Sequence, residues 1–449
     1  MERFLSRKIE LRWLIAVIIL MLLLSWAFGW MVFHRASGGQ RFGPVAAAAV
    51  TIAKVPTTVK QILSGELLLD QHEVKAEFDE PFGFTFARTP ANPQYVLVSR
   101  YNGDIGWSVV ELYREGEGAP LHRWTFDDPQ TFAFEGGNGF SKPPLEGDSS
   151  SLRTQHPVLM ADGSIILNNH YGALYRVNAC GTPYWVNAEF AFHHSTEMSP
   201  DGTIWTPGTA PTPVKGYGWG PNTFDDHIVQ LNPDGEILYA KSVLEMLVDA
   251  GLENRAYDYD NAVLDPLHLN DIEPVTFDGE IAKRGDVLLS IGHLNMALLF
   301  RPSTDKVIWH SQDRIMHQHD VDMLAPDVIS MYDNRRKTAE RGAPIVLGTN
   351  ELVRFELPGR EAESFFREQM QSMDIRSFNQ SLTDLIPGAG RMIEETSRAR
   401  LIKFGEDGSL DWVFVNRSDN GKLWIMNWSR YIPKAQGDAA LKALQAAGC

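Results

Sequence analysis

Histidines recur at one position in four successive segments of this chain. In each segment a histidine stands at the head of a short apolar run, and in three of them an Asp-Gly turn follows. The segments are QHPVLMADGSIIL with His156, HHSTEMSPDGTIW with His193 and His194, HLNDIEPVTFDGE with His268, and HQHDVDMLAPDVI with His317 and His319. Imidazole can bind a metal ion, act as a general acid or base near neutral pH, or attack as a nucleophile. If the fold brings these segments together, one cavity would hold several such groups.

The elements that would position the histidines can be recognised from a repeated phrase. A few apolar residues, a Gly, Asp or Pro turn and a second apolar run ending near a large residue occur six times, which predicts six hairpins. The copies are Val109–Trp124, Ala173–Trp185, His227–Ala240, Met296–Trp309, Glu351–Phe365 and Arg398–Trp412. Their spacing of about 50 to 70 residues equals one four-stranded propeller blade with loop insertions. The sequence therefore predicts an all-β fold, a six-bladed β-propeller over residues 76–432.

Each strand that begins with a histidine precedes one of these hairpins, so it is expected to be the innermost strand of its blade. His194, His268 and His319 would then enter one cavity from three different blades. A lone histidine at a strand start is more often hydrogen-bonded scaffolding than a catalyst, but four in register favour a functional cavity. The prediction depends on the register, because a shift of one residue would turn every side chain outward.

The residues near the histidines favour an anion over a metal ion as the ligand. Metal-binding spacing such as HExxH is absent, and the segment His268–Asn270 combines a possible metal ligand with a neutral amide. Imidazole and amide N–H groups donate to oxygen atoms and can accommodate a dispersed negative charge. The sequence therefore predicts a cavity without a metal ion or a cofactor. A metal-dependent hydrolase or oxidoreductase that uses the histidines stays as a weaker alternative.

The N-terminus and the overall charge indicate where the propeller lies and what it does not bind. Residues 13–33 carry no charge and are long enough to cross about 30 Å of hydrocarbon. Four basic residues precede this segment and two follow it closely, which predicts a cytoplasmic N-terminus for a single-pass signal anchor. A cleaved signal peptide is the alternative. We expect a cytoplasmic tail over 1–12, a linker over 34–75 and a C-terminal tail over 433–449. The net charge of −16 argues against a nucleic-acid surface.

The two cysteines give little information by themselves. Cys180 and Cys449 could pair in an oxidising compartment, but no spacing motif fixes the pair, and neither has the CxxC spacing of a metal or redox site. Their pairing is left open.

Several segments together resemble the bacterial arylsulfotransferases. The segments HHSTEMSPDGTIW, DPLHLNDIEPV, LLSIGHLNMALLF, HQHDVDML and SRARLIKF occur in the order of that family, over roughly Gln155 to Trp412. The family consists of six-bladed periplasmic propellers that pass a sulfuryl group from one phenol to another without the nucleotide donor PAPS. The resemblance implies a propeller in the periplasm, which together with the expected signal anchor over residues 13–33 places the protein in the bacterial inner membrane. It also implies an aryl sulfate and a phenolic acceptor as its small-molecule partners.

The resemblance also implies roles for individual residues. His319, in the QHD phrase, would be the nucleophile that forms a sulfohistidine, and His194 and His268 would complete the catalytic set. Asn270 would bind sulfuryl oxygens, with His156, His293 and Arg398 as further candidate substrate-binding residues. The family often has an arginine at the position of Gly292, for which His293, Arg301 or Arg398 could substitute.

The expected function is therefore PAPS-independent sulfuryl transfer from an aryl sulfate to a phenolic or other hydroxyl acceptor. The alternative is a non-catalytic, membrane-tethered propeller that binds a ligand or a partner, because propellers are common binding platforms. The oligomeric state is left open.

Overall fold

The computed structural model describes residues 10–36, 41–64, 72–75, 79–90, 92–126, 153–210, 223–256, 265–337 and 345–449. The chain divides into two units, Met1–Gln71 and His72–Cys449. Its helices are α1 (Leu11–Ala36), α2 (Gly43–Ser64), α3 (Val243–Asp249), α4 (Glu253–Ala256), α5 (Arg367–Ser372) and α6 (Lys434–Ala447). Single 3₁₀ turns occur at Pro302–Thr304 and Thr396–Arg398.

The first unit is helical. In α1 the stretch Leu11–His34 has a mean hydropathy of 2.5 and is long and apolar enough to cross a membrane. The helix α2 occupies most of the segment expected as a linker, where alanine-rich composition favours helix. Of the expected cytoplasmic tail, residues 1–9 lie outside the described residues.

The second unit consists mainly of short antiparallel strands. In chain order these are β1 (Glu73–Val74), β2 (Gly83–Phe86), β3 (Tyr95–Asn102), β4 (Trp107–Arg114), β5 (His122–Trp124), β6 (Thr154–Leu159), β7 (Ile165–Asn169), β8 (Gly172–Val177), β9 (Pro183–Phe192), β10 (Glu197–Met198), β11 (Ile204–Thr209), β12 (Asp226–Leu231), β13 (Ile237–Ser242), β14 (Leu269–Pro274), β15 (Val287–Ile291), β16 (Met296–Arg301), β17 (Lys306–Ser311), β18 (Val321–Ala325), β19 (Val328–Asp333), β20 (Arg336–Lys337), β21 (Ile345–Val346), β22 (Glu351–Glu356), β23 (Ala362–Phe365), β24 (Leu382–Ile386), β25 (Gly390–Glu395), β26 (Arg400–Phe404), β27 (Leu410–Val415), β28 (Leu423–Trp424) and β29 (Arg430–Ile432).

These strands form a propeller-like, all-β arrangement. Three sheets have four strands, in the orders β29-β3-β4-β5, β14-β15-β16-β17 and β18-β19-β22-β23, and a five-stranded sheet has the order β2-β27-β26-β25-β24. An eight-stranded sheet runs β13-β12-β11-β9-β8-β7-β6, with β10 also paired to β11. Within it, β9 and β11 pair at only two positions. Two further pairs are β1-β28 and β20-β21. Each of the six repeated segments forms the hairpin that ends one run of four strands.

The two ends of this unit are interlocked. Near the N-terminal end, β2 pairs with β27, which lies more than 300 residues later in the sequence. Near the C-terminal end, β29 pairs with β3, with Arg430 opposite Leu97. The sheet that begins with β29 therefore needs strands from both ends of the chain.

Side chains near the starts of successive strands join one sheet to the next. Asp271 accepts the backbone N–H of Val321, Asp320 accepts that of Thr383, and Asp384 accepts that of Tyr431, each at 2.8 Å. Ser195 likewise accepts the N–H of Ile272 at 3.0 Å. These bonds hold β14, β18, β24 and β29 side by side, so the residues at their starts lie close together.

Residues 433–449, expected as a tail, instead pack against the sheets as α6. Its residues Ala440 and Leu444 join a buried cluster with Tyr95. A Cβ atom at Gly437 would lie 2.2 Å from the ring of Tyr95, so only glycine permits this approach. Cys449 forms a disulfide with Cys180, with Cα atoms 5.4 Å apart, which answers the question left open by the sequence.

Candidate functional site

Three histidines from three separate strand starts meet in one cluster. The ring of His194 lies 5.1 Å from that of His268 and 5.9 Å from that of His319, measured between centroids. One nitrogen from each of the three rings lies within 4.8 Å of the other two. His194 precedes β10, His268 precedes β14 and His319 precedes β18. The structure therefore brings together the three histidines that were expected to be catalytic.

An unusual backbone conformation directs several of these side chains. His194 and His268 both have φ of 55°, His156 has φ of 44° and His317 has φ of 56°. Residues other than glycine rarely adopt the left-handed region, and each instance costs about 1–3 kcal/mol. With this backbone conformation, each of these residues departs from the regular alternation of side-chain directions along a strand.

Both ring nitrogens of His319 are hydrogen-bonded to the protein. Nδ1 donates to the side-chain oxygen of Asn334 at 2.7 Å, which leaves the lone pair on Nε2. Nε2 accepts the backbone N–H of Gln380 at 3.0 Å. Burial and the nearby His268 lower the pKa of His319 to about 3, so the ring is neutral at physiological pH. His319 therefore has the protonation state of a nucleophile, with its reactive lone pair held by a backbone donor.

His268 has a different environment. Its Nδ1 donates to the carboxylate of Asp265 at 2.5 Å, and the hydroxyl of Tyr171 lies 3.4 Å from the same nitrogen. Burial opposes the charged form, but Asp265 and then Asp226 outweigh it and raise the pKa of His268 above its ordinary value. No hydrogen bond from Nε2 of His268 to any described residue occurs in the structure. This ring can therefore hold a proton on the side that faces the cluster.

A relay of three side chains leads to His194. Its Nδ1 lies 2.8 Å from Nδ1 of His193, and Nε2 of His193 lies 3.3 Å from the carboxylate of Asp226. With the proton of His193 on Nε2, its Nδ1 accepts from His194, which leaves the lone pair of His194 on Nε2. Burial, followed by the neighbouring His193 and His268, lowers the pKa of His194 well below its ordinary value. His194 is therefore a neutral ring at physiological pH.

Asn270 lies beside the cluster and is completely buried. Its amide nitrogen donates to the carbonyl of Gln318 at 2.7 Å, and its side-chain oxygen has no partner among the described residues. A Cβ atom at Gly292 would lie 2.4 Å from this amide nitrogen. An arginine at that position would therefore require Asn270 to move, which explains why glycine accompanies this arrangement.

Two more histidines extend the cluster. The ring of His293 stacks on His268 at 4.5 Å, and its Nδ1 donates to the carbonyl of Asp265 at 2.6 Å. The ring of His317 lies 5.4 Å from His319 and 5.6 Å from His293. Of the further candidates for substrate binding, His293 is therefore in contact with the catalytic set.

His156 lies in a different environment from the one expected. It lines a cavity of about 280 Å³ whose other walls include Glu197, Asp271 and Asp322, and none of the three catalytic candidates lines this cavity. Its ring packs 5.1 Å from Trp428, whose indole also contacts His194 at 5.8 Å. His156 and His194 both have a left-handed backbone conformation, and Trp428 packs against both rings.

Arg398 is engaged by acidic and carbonyl groups of the protein. Its guanidinium donates to the carbonyl of Asp374 at 2.5 Å and forms ion pairs with the carboxylates of Asp374 and Glu395 at 3.8 and 3.6 Å. Arg301, another candidate for the missing guanidinium, pairs with Asp286 at 2.7 Å. Both arginines thus have carboxylate partners inside the protein.

Four residues beside the histidines were not predicted from the sequence: Tyr171, Asp265, Asn334 and Arg336. Only Asp265 offered a local signal, since it lies three residues before His268. Asn334 directly follows β19 and Tyr171 lies between β7 and β8, so neither belongs to a strand start that the repeat identified.

The donor atoms of the cluster could also hold a metal ion. The sets His194, His268, His319 and Asp265, His268, His293 each have ligand atoms within 4.8 Å of one another. Three imidazole nitrogens are a known zinc ligand set. A metal ion on Nε2 of His319 would have to displace the backbone N–H of Gln380, however.

The chain is similar to several solved structures at low sequence identity. No curated protein matches it. Among solved structures, it is similar to a protein of unknown function from Bacteroides caccae at 11% identity, with 76% of this chain and 99% of that chain covered and a TM-score of 0.47. It is also similar to the WD40 β-propeller domain of Doa1 at 10% identity, with 80% and 94% covered and a TM-score of 0.37. Selenomethionine-substituted virginiamycin B lyase from Staphylococcus aureus has 10% identity, with 73% and 88% covered and a TM-score of 0.35.

The sequence model described as arylsulfotransferase (ASST) matches residues 156–417. This match covers more than half of the chain and includes all of the histidines in the cluster. The chain therefore belongs to the arylsulfotransferase family.

Proposed function

We propose that this protein transfers a sulfuryl group from an aryl sulfate to a phenolic or other hydroxyl acceptor, without PAPS, through a sulfohistidine at His319. The observation that carries the proposal is the meeting of His194, His268 and His319, with one nitrogen of each within 4.8 Å of the others, in a member of the arylsulfotransferase family. Residues so far apart in sequence converge only because their strands begin side by side.

Six blades surround the axis on which this cluster lies. In support, the four separate sheets of four or five strands account for four blades. The eight-stranded sheet accounts for two more, because its two halves are joined only at Gly208–Phe192 and Thr209–Ala191. Each half is a run of four consecutive strands, as one blade requires.

In the first half of the reaction, the lone pair on Nε2 of His319 attacks sulfur and the bond from sulfur to the aryl oxygen breaks. Nε2 exchanges its hydrogen bond from Gln380 for the new N–S bond. The ring becomes positively charged, and Asn334 stabilises it by accepting from Nδ1. His268 gives its proton to the leaving phenolate, for which its raised pKa is suited.

In the second half, the now neutral His268 takes the proton of the acceptor hydroxyl. The acceptor oxygen attacks sulfur, the N–S bond breaks and His319 is regenerated as a neutral ring. Asn270 donates its second amide N–H to a sulfuryl oxygen in both halves, and the neutral ring of His194 packs edge-on against His268 and so positions it. The group is therefore transferred in a ping-pong cycle that needs neither a metal ion nor an organic cofactor.

The test is to trap the intermediate. Incubation of the full-length protein in detergent with 4-nitrophenyl sulfate carrying radioactive sulfur is expected to label the protein, because the N–S bond forms before an acceptor arrives. The label should be lost in acid and on addition of phenol, with formation of phenyl sulfate. Radioactive inorganic sulfate serves as the control and should leave no covalent label.

Two results, one from this experiment and one from metal analysis, would favour the alternatives. If no aryl sulfate labels the protein or releases its phenol, a non-catalytic propeller that binds a ligand or a partner becomes the better description. If elemental analysis finds one equivalent of zinc and chelation abolishes activity, a metal-dependent reaction at the three histidines replaces the covalent one.

The propeller lies in the periplasm, anchored to the bacterial inner membrane by α1. In support, Arg3, Arg7, Lys8 and Arg12 precede the apolar segment, while only Arg35 and Arg41 follow it closely. The disulfide between Cys180 and Cys449 also fits an oxidising compartment.

A thiol-labelling experiment tests this location. In intact cells, a maleimide reagent is expected to modify neither cysteine until a reductant is added, because both sulfurs are in the disulfide. In a strain that lacks periplasmic disulfide formation, both should become reactive, and the free energy of unfolding should fall by about 2–5 kcal/mol. Two reactive cysteines in untreated wild-type cells would contradict the periplasmic location.

A further inference from the structure

We propose that Arg336 binds the anionic sulfuryl group of the donor and supplies the positive charge expected at Gly292. This inference rests on the proposed function for the identity of the anion, but the site itself follows from the geometry. Arg336 belongs to the short strand β20, which lies outside the repeated segments.

The guanidinium of Arg336 lies at the edge of the histidine cluster. Its Nη1 donates to Nε2 of His317 at 2.6 Å and lies 3.4 Å from the side-chain oxygen of Asn379. The ring of His317 is 5.4 Å from that of His319 and 6.3 Å from that of His268. Arg336 is thus separated from the proposed nucleophile by a single ring.

No carboxylate in the part of the chain that the structure describes compensates the charge of Arg336. It forms no ion pair with any carboxylate among the described residues, and its Nε is buried without a hydrogen-bond partner there. The adjacent Arg335, in contrast, pairs with Glu351 at 2.8 Å. A partly buried guanidinium without a counter-ion is unfavourable for folding, so its presence indicates that an anion from outside the chain occupies the site.

The neighbouring histidines leave no unpaired positive charge for the sulfuryl group, because the charge of protonated His268 is paired with the carboxylate of Asp265. Burial lowers the pKa of His317 and of His194 well below the ordinary value and that of His319 to about 3, so all three are neutral at physiological pH. A guanidinium stays charged at every physiological pH and offers several N–H donors in one plane. A sulfate monoester carries one negative charge on three terminal oxygens, which suits this group.

The test measures anion binding separately from turnover. In the full-length protein, Arg336→Met is expected to weaken binding of inorganic sulfate, measured by calorimetry, by about 10- to 100-fold, as for the loss of hydrogen bonds to a charged group. KM for 4-nitrophenyl sulfate should rise by a similar factor. Arg336→Lys should restore part of the affinity, because it keeps the charge and loses the planar geometry. Arg335→Met is the matched control and should leave both constants unchanged.

The outcomes separate this inference from the proposed function. Equal sulfate affinity and KM in wild type and Arg336→Met would overturn the role of Arg336 while sulfuryl transfer stands. If Arg336→Met loses sulfate binding and the wild-type protein transfers no sulfuryl group, the anion site stands and the proposed transferase activity is overturned. A wild type that binds no sulfate overturns the anion site. Circular dichroism and Tm check that the variants are folded.

Discussion

His319→Ala is expected to lower kcat for an aryl sulfate by about 10⁴- to 10⁶-fold, because removal of the nucleophile eliminates the covalent route. The loss of the hydrogen bonds with Asn334 and Gln380 should cost about 1–3 kcal/mol of stability, which a protein of this size tolerates. Steady-state release of 4-nitrophenol and the trapping experiment measure the effect, with circular dichroism as the check on folding. The variant should take up no radioactive sulfur.

Comparison with two other variants tests the assignment. His194→Ala should reduce kcat by about 10²-fold, because the ring that packs against His268 and His319 and positions them is lost, and the variant should still form the adduct. His268 is the second candidate for the nucleophile, because its Nε2 is free of hydrogen bonds to the described residues while that of His319 is not. If His319→Ala is still labelled and His268→Ala is not, the nucleophile is His268.

Asp265→Asn is expected to reduce kcat by about 10²–10⁴-fold and to change its pH dependence. Asp265 raises the pKa of His268 despite its burial, and a neutral amide would not. Because the protonated form of His268 exists only below its pKa, the alkaline limb of the kcat profile should move to lower pH. The profile of kcat against pH for wild type and variant measures this shift.

Asp265→Asn should also change the free energy of unfolding, by an amount that depends on pH. A group whose pKa is raised on folding stabilises the fold below its unfolded pKa, and the effect is lost as the pH rises through the folded pKa. The variant should therefore be less stable than wild type in acid, with a difference that narrows at alkaline pH. Asp278→Asn, at an exposed ion pair with Arg284, is the control. A lower kcat with an unshifted pH profile would show that Asp265 only positions the ring.

Most of the fold that could be predicted from the sequence was predicted from the repeated segments. Alternating apolar residues on either side of a turn specify a hairpin through local interactions, and all six predicted hairpins are present. The histidines could be aligned with each other because each precedes such a hairpin. The family resemblance then followed from the order of these same segments.

The residues that the sequence did not reveal act through tertiary contacts. Asn334 and Arg336 follow β19, and their contacts with His319 and His317 depend on how that loop folds back over the strand starts. The pair Cys180–Cys449 required the position of α6, which no local pattern specified. His156 shows a further limit, because it has a left-handed backbone conformation like His194 but lines another cavity.

The pairing of β29 with β3 also determines when the protein can finish folding. Residues 430–432 are synthesised more than 300 residues after β3, yet they cover the edge of that strand. Until then β3 presents unpaired backbone groups, and such an edge is a template for association with another chain. Contacts this distant in sequence also form slowly. The new chain therefore passes through an interval in which it depends on protection from aggregation, and that interval ends only when residues 430–432 have paired with β3.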